Sequence, residues 1–345
     1  MWPIQPPLKG GVIRKASLLT LLLLGKVLPK WAYETWYWSQ SHHQAALQLL
    51  LQSNASFIHA NDWNTLPVAV KAAEQTGARV ILDLHEYAPL EFESRRLWRL
   101  FYQPMVDYFL RRYTQQCAAF VTVNETIANR YTSEYGIQPI TVMNVPKSEQ
   151  LPDFRPTDPH HVRLVHHGGA NRDRKLELMI QAIAQTSPCY SLHFMLIEIN
   201  PGYIAELQAL AEHLAPGRVF FHQTVPPAEI VSRLAEFDLG IYLLPFAHNF
   251  NNSVALPNKF FDFITAGLAL CIGPSPEMVR LTEQYGFGIV ASSFEPGEVA
   301  WVLNNLSIAD IDRMKLKAIE ARQILNADVE LGKLVALYQK LWREA

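Results

Sequence analysis

"VRLVHHGGANRDRKLELMIQAIAQ", residues 162–185, runs through aliphatic residues, stops at two glycines, and then repeats apolar residues at Leu176, Met179, Ile180 and Ile183. That is a strand handing over to an amphipathic helix through a glycine turn, the unit from which parallel sheets are built. The unit recurs on both sides of this stretch. After it come the strand segments "YSLHFMLIE", "RVFFHQ", "LGIYLLP", "LALCIGP" and "FGIVAS". Between them lie helical stretches opening at "PGYIAELQALAEHL", "PPAEIVSRLAEF", "PNKFFDFITAG" and "PEMVRLTEQYG". Several open with proline, whose missing N–H has no partner to lose in a first helical turn. Ahead of it "SFIHA", "ARVILDLH", "AAFVTVN" and "ITVMN" read as buried strands, and the helix "NTLPVAVKAAEQTG" closes on Gly77.

Residues 146–161, "PKSEQLPDFRPTDPHH", carry four prolines and no apolar period, which reads as a linker between two βα arrays. The expected class is therefore α/β, with two Rossmann-like domains whose parallel sheets face one another across a cleft. The boundaries read as a helical N-terminal segment at 1–54, a partial first domain at 55–150 and a linker at 151–161. A second domain follows at 162–325, and a C-terminal helix at 326–345.

Apolar residues make up 49% of the chain and charged residues 18%, enough to build substantial cores. A formal charge of −2 provides no global attraction to nucleic acid. Cys117, Cys189 and Cys271 lie far apart without a CxxC, as expected of reduced thiols in a cytoplasmic protein. No segment reaches the ~20 apolar residues that span a bilayer. The nearest, "ASLLTLLLLGKVL", follows Arg14 and Lys15 and precedes the tryptophan-rich "KWAYETWYW". It has two readings, a core helix packed on a sheet or a helix lying on the inner face of a membrane.

In open parallel sheets ligands bind beyond the carboxyl ends of the strands. If Pro257 occupies the first turn of its helix, Asn258, Lys259 and Asp262 lie within about one turn of the N-terminus. Free N–H groups and the positive end of the helix dipole favour an anion such as phosphate there. Lys259 adds a mobile cation, and the Asp262 carboxylate can accept from two vicinal hydroxyls such as a ribose offers. By spacing alone, the same two residues also fit an exposed ion pair three positions apart. The adjacent histidines His42–His43, His160–His161 and His166–His167 do not predict a metal, since neighbours on a strand point to opposite faces. No GxGxxG follows a strand, which argues against a dehydrogenase.

Five ordered segments carry a family resemblance. "ALPNKFFDFITAG", "SFIHANDWNTLPVAVKAAEQTGARVILDLHEYAP", "FVTVNETIANRYTSEYGIQPITVMNVP", "LVHHGGANRDRKLELMIQAIA" and "GPSPEMVRLTEQYGFGIV" resemble stretches of retaining nucleotide-sugar glycosyltransferases with the GT-B fold, of the family 4 type. The resemblance covers roughly residues 55–305 and implies transfer of a sugar, with retention, from a nucleotide diphosphate (UDP- or GDP-sugar) to a saccharide or lipid-linked acceptor. It implies no separate cofactor and no metal. Arg174 and Lys259 would grip the leaving diphosphate, and Asp262, where the family usually has glutamate, would hold the ribose. Gly168 and Gly169 would form the tight phosphate turn. Many relatives carry arginine at the position of Gly169, a role that Arg172 would then share. Asn252 and Ser253 would face the transferred sugar, with Val254 where the family has an acid. His85 and Asp62 are the polar candidates beside the reacting centre, although His85 also fits an imidazole bonded beneath a loop.

Only 54 residues precede "SFIHA", so the resemblance implies that the N-terminal βαβ unit is lacking and that the strand at 56–60 has an edge available for pairing. Two further readings stay open, a nucleotide-sugar-binding subunit without turnover and a nucleotide-sugar epimerase of the same fold.

Overall fold

The computed structural model of the chain describes residues 12–147, 151–246 and 249–344. The first eleven residues of the helical N-terminal segment, residues 148–150 of the linker and the last residue of the C-terminal helix lie outside them. By contacts the chain divides into two compact units, Met1–Val142 with His248–Asn251, and Met143–Ala247 with Asn252–Ala345.

The first unit holds four parallel strands, β1 (Phe57–Asn61), β2 (Arg79–Leu84), β3 (Ala119–Thr122) and β4 (Ile140–Thr141), in the order β1-β2-β3-β4. His59 stands opposite Ile81, and Asp83 opposite Asn61 and Val121. β2 is one of the two inner strands, with Val80, Ile81, Leu82 and Leu84 all buried. Helices Leu66–Thr76 and Glu125–Tyr135 end on Gly77 and Gly136, each in the left-handed region that a side chain disfavours. The Asn124 side chain caps the second of these by accepting from Ile127 N at 2.9 Å.

The segment before β1, read as a helical N-terminal segment, forms three helices among the described residues: Val12–Leu24, Pro29–Trp38 and Ser41–Gln52. The second is core. Tyr37 is fully buried against Phe109, ring centroids 5.3 Å apart, and its hydroxyl donates to Asn64 O at 2.6 Å. Glu34 accepts from Tyr113 Oη at 2.7 Å and pairs with Arg112 Nε at 3.1 Å, fastening this helix to Gln103–Tyr113. Val12–Leu24 packs on helical neighbours rather than on a sheet, with Leu18 and Leu22 inward.

The second unit holds β5 (Val162–Ala170), β6 (Tyr190–Glu198), β7 (Val219–His222), β8 (Leu239–Tyr242), β9 (Ala269–Ile272) and β10 (Gly288–Val290). Their order is β10-β9-β8-β5-β6-β7, all parallel. The chain builds outward from β5 through β6 and β7, then returns to the other side of β5 at β8. That reversal places the unit's ligand crevice past the carboxyl ends of β5 and β8. Apolar side chains cover both faces, Leu164, Leu192 and Ile241 in one cluster and Val165, Phe260, Phe263 and Ile264 in the other.

The proline-rich segment is bonded into this unit. Arg155 Nη2 donates to Asp238 Oδ1 at 2.8 Å, Thr157 N donates to Asp312 Oδ1 at 2.9 Å, and Pro152 O accepts from Arg322 Nη1 at 2.9 Å. Asp238 is fully buried, so its charge is matched by Arg155, by Lys315 Nζ at 3.4 Å and by the amide of Arg163 at 2.8 Å. The C-terminal helix, Ala327–Arg343, belongs to the same unit, where Glu330 accepts from Met143 N at 2.8 Å.

Candidate functional site

In the second unit β5 ends in "HHGG", and the first glycine takes φ +115°. A Cβ at Gly168 would stand 3.0 Å from Lys259 Nζ, so the bare backbone is what lets the lysine lie across the strand end. At Gly169 a Cβ would meet Ile199 Cγ1 at 2.9 Å. The helix that supplies Lys259 spans Asn258–Thr265. Pro257 is its N-cap rather than a first-turn residue, because its ψ of 150° is extended, and no side chain caps the helix. Asn258 and Lys259 are therefore the first two helical residues, and their end of the helix stays open to an anion.

Lys259 and Asp262 do not form an ion pair with each other, and Asp262 is only 7% exposed. The exposed-pair alternative does not describe them. The Lys259 side chain is part-buried, and its ammonium end lies 3.4 Å from His166 Nε2 and 5.1 Å above the Tyr242 ring. His166 Nδ1 meets the carbonyl of Ile241 at 2.9 Å. A carbonyl only accepts, so Nδ1 carries the proton and Nε2 presents its lone pair to Lys259. Tyr242 stacks on His166 with centroids 5.9 Å apart, and its hydroxyl accepts from Arg174 Nη1 at 2.9 Å. Arg174, Lys259, His166 and Tyr242 thus form one connected group at the switch point of the sheet.

Burial dominates the electrostatics. Desolvation, with Arg174 adding to it and Asp262 opposing it, brings Lys259 down to about 7. Desolvation pushes Asp262 up to about 7, against the pull of Lys259. Burial and then Lys259 hold His166 well below its ordinary value and bring His167 to about 3, so both imidazoles are neutral. His167 Nε2 lies 3.4 Å from Asp262 Oδ2, off the angle of a hydrogen bond, and is left without a hydrogen-bond partner. An entering anion would restore the charge on Lys259, and hydroxyl donors would do the same for Asp262.

The other expected residues fall unevenly. Arg172 turns away, forming a bidentate pair with Glu206 at 2.5 and 2.6 Å and lying over Tyr203. Asn258 Oδ1 accepts from Asn144 Nδ2 at 3.1 Å. Asn252 and Ser253 close the short helix Phe250–Ser253, and Val254 behind them is buried. Their neighbour Asn251, not foreseen, grips Tyr87 in the first unit by accepting from its N at 2.8 Å and donating to its O at 3.2 Å.

A second polar group sits at the carboxyl ends of β1 and β2. Asp83 Oδ2 lies 3.1 Å from His59 Nε2 and 3.3 Å from His85 Nε2. Asp62, at φ +60°, accepts from His85 N through Oδ1 at 3.0 Å. Burial would raise Asp83, but hydrogen bonds from His59 and His85 bring it down to about 2. The Asp83 contact in turn raises His85, whose side chain remains 54% exposed. Desolvation raises Asp62 and Glu86, and it takes Glu91 up to about 7 even though Trp63 Nε1 donates to it at 3.2 Å. His85 is thus a solvent-accessible imidazole biased toward its cation, with Asp62 fixed beside it.

From sequence, His166 was weighed only as half of an adjacent histidine pair, and Tyr242 and Asp83 were not singled out. Asp83 had a signal, since residues two apart on a strand share a face and His85 is two positions on. Tyr242 had none, as it reads as one more core residue of β8. Among the described residues no cluster of three or more metal-ligating side chains occurs.

Residues 14–145 match the family model Glycosyltransferase Family 4. HepE of Anabaena, crystallised with UDP, superposes with a TM-score of 0.68 at 15% identity, covering 86% of this chain and 82% of its own. The chain has the GT-B glycosyltransferase fold. Two further GT-B structures agree with it. Sucrose-phosphate synthase of Thermosynechococcus elongatus gives a TM-score of 0.65 at 14% identity, over 93% of this chain and 80% of that one. The E. coli trehalose-6-phosphate structure, bound with UDP-2-fluoro glucose, gives 0.64 at 11%, over 88% and 77%. No curated protein matches the chain.

Proposed function

We propose that this GT-B chain is a retaining glycosyltransferase that takes a sugar from a UDP- or GDP-type donor and passes it to a saccharide or lipid-linked acceptor in glycoconjugate or polysaccharide synthesis. The supporting observation is the convergence of Lys259 and Arg174 at an uncapped helix N-terminus, with the Asp262 carboxylate one turn on. Two cations and the helix dipole would stabilise charge growing on the leaving diphosphate as the glycosidic bond breaks. Asp262 would accept from the ribose hydroxyls. The UDP and UDP-sugar complexes of the similar structures favour uridine. Retention would follow from attack on the face the diphosphate leaves, that phosphate taking the acceptor proton, while His85 and Asp62 bind the acceptor side. The reading places the chain on the cytoplasmic side of a membrane, in peripheral contact through its N-terminal helix.

A binding subunit without turnover is the second reading, favoured by the buried Val254 where the resemblance expects a sugar-holding acid. Thermal shift with UDP, GDP and ADP, on wild type, Lys259→Ala and Asp262→Ala, tests the donor site. Nucleotide at about 100 times its dissociation constant adds ~2.7 kcal/mol to wild type. An unchanged gain in both variants would remove this helix from the donor site. Release of free sugar or a glycosylated product from a UDP-sugar then separates enzyme from binder.

A further inference from the structure

We propose that the first unit docks on an anionic lipid surface through two adjoining segments, residues 17–31 and 95–100. The proposal deepens the peripheral-contact part of the reading above and is independent of the donor site. Helix Val12–Leu24 turns Leu18 and Leu22 inward, yet Leu19 and Leu23 stay 45% and 48% exposed. The turn and the next helix add Val27, Leu28 and Trp31 at 78%, 55% and 56%. Large apolar side chains exposed in such a run mark an interaction surface.

The charges say with what. Residues 1–33 hold five Lys/Arg and no Asp or Glu, in a chain whose net charge is −2. The second segment repeats the pattern. Arg95, Arg96 and Arg99 are exposed beside Leu97 and Leu100, at 69% and 46%, and no acid occurs from Ser94 to Val106. The two segments are neighbours, because helix Val12–Leu24 packs against the helical turn Trp98–Tyr102, whose Tyr102 ring meets Trp36 edge-on at 6.0 Å.

Apolar side chains set among cations, with tryptophan at the border, suit acyl chains below anionic headgroups. A second copy is the poorer occupant, since a two-fold interface would set these cations against themselves. No described helix is long and apolar enough to cross a membrane, so the contact is one of lying on the surface.

The test is co-sedimentation of the full chain with vesicles of phosphatidylcholine alone, or mixed with phosphatidylglycerol, at low and high salt. Binding is expected on the mixed vesicles, weakened by salt and by removal of the anionic lipid. Leu23→Glu with Leu28→Glu should abolish it, and Arg96→Gln with Arg99→Gln should weaken it about fivefold per cation removed. The UDP-induced thermal shift of each variant should be unchanged, which shows that the variants fold and keeps the two readings apart. Wild type that ignores mixed vesicles while still responding to UDP overturns the lipid surface alone. So does binding indifferent to all four substitutions, or a concentration-dependent dimer lost in Leu23→Glu without lipid affinity.

Discussion

Lys259 Nζ lies 3.4 Å from His166 Nε2, on the side of the imidazole that the Ile241 carbonyl leaves unprotonated. The neutral ring gives the ammonium one acceptor but no counter-charge, and burial, with Arg174 adding to it, brings the lysine down to about 7.

Removing that lysine should stabilise the protein in the absence of added nucleotide. Its pKa falls from 10.5 in the unfolded chain to about 7 when folded, so the unfolded state binds more protons between these values. The penalty is fully present below pH 7 and disappears as pH rises toward 10. Lys259→Met should therefore melt above wild type at pH 6–7, by about 2–4 °C per kcal/mol recovered. The gap should close toward pH 10, and the variant should lose its UDP-induced shift at every pH. Calorimetry across that range checks both signs.

Gly168→Ala should harm fold and site together. The left-handed backbone costs about 1–3 kcal/mol with a side chain, and the new methyl would press on the Lys259 ammonium. Titration calorimetry with UDP should show affinity reduced roughly tenfold or more, the scale of one hydrogen bond to a charged group.

The two arginines after β5 should separate. Arg174 is tied to Tyr242 beside Lys259, whereas Arg172 is spent on Glu206. Arg174→Ala should weaken UDP binding about 10- to 100-fold, and Arg172→Ala should leave it nearly unchanged. Equal losses would return Arg172 to the proposed diphosphate site.

Asp83→Asn should act through His85. The contact with Asp83 raises His85, so its loss lowers the pH at which the imidazole gives up its proton. A raised histidine pKa stabilises the fold fully below its unfolded value near 6.5, and that stability fades as pH rises through the folded value. Asp83→Asn should therefore be most destabilising below about pH 6. NMR titration of the His85 ring reads the shift directly, and an unmoved titration would refute the coupling.

Much of the architecture was legible because strand and helix periods are local. All ten strands among the described residues overlap stretches identified by their apolar runs, β1 and β5 running past theirs to Asn61 and Ala170, since a parallel strand buried on both faces is hydrophobic through most of its length. The N-terminal helices were less legible. Pro29–Trp38 is aromatic all round, and only the partners of Tyr37 and Glu34 show which face is core. In the linker, proline content reports an irregular backbone and is silent about the side-chain bonds Arg155 makes.

The sequence by itself determined the two βα arrays, the open-ended helix at Asn258 and the residue types a diphosphate site requires. Only the tertiary structure decided that Lys259 leans on His166 across Gly168, that Arg174 joins it through Tyr242, and that Arg172 does not. Periodicity is carried by neighbours in the chain, whereas burial, tautomer and ion pairing depend on groups brought together from far along it.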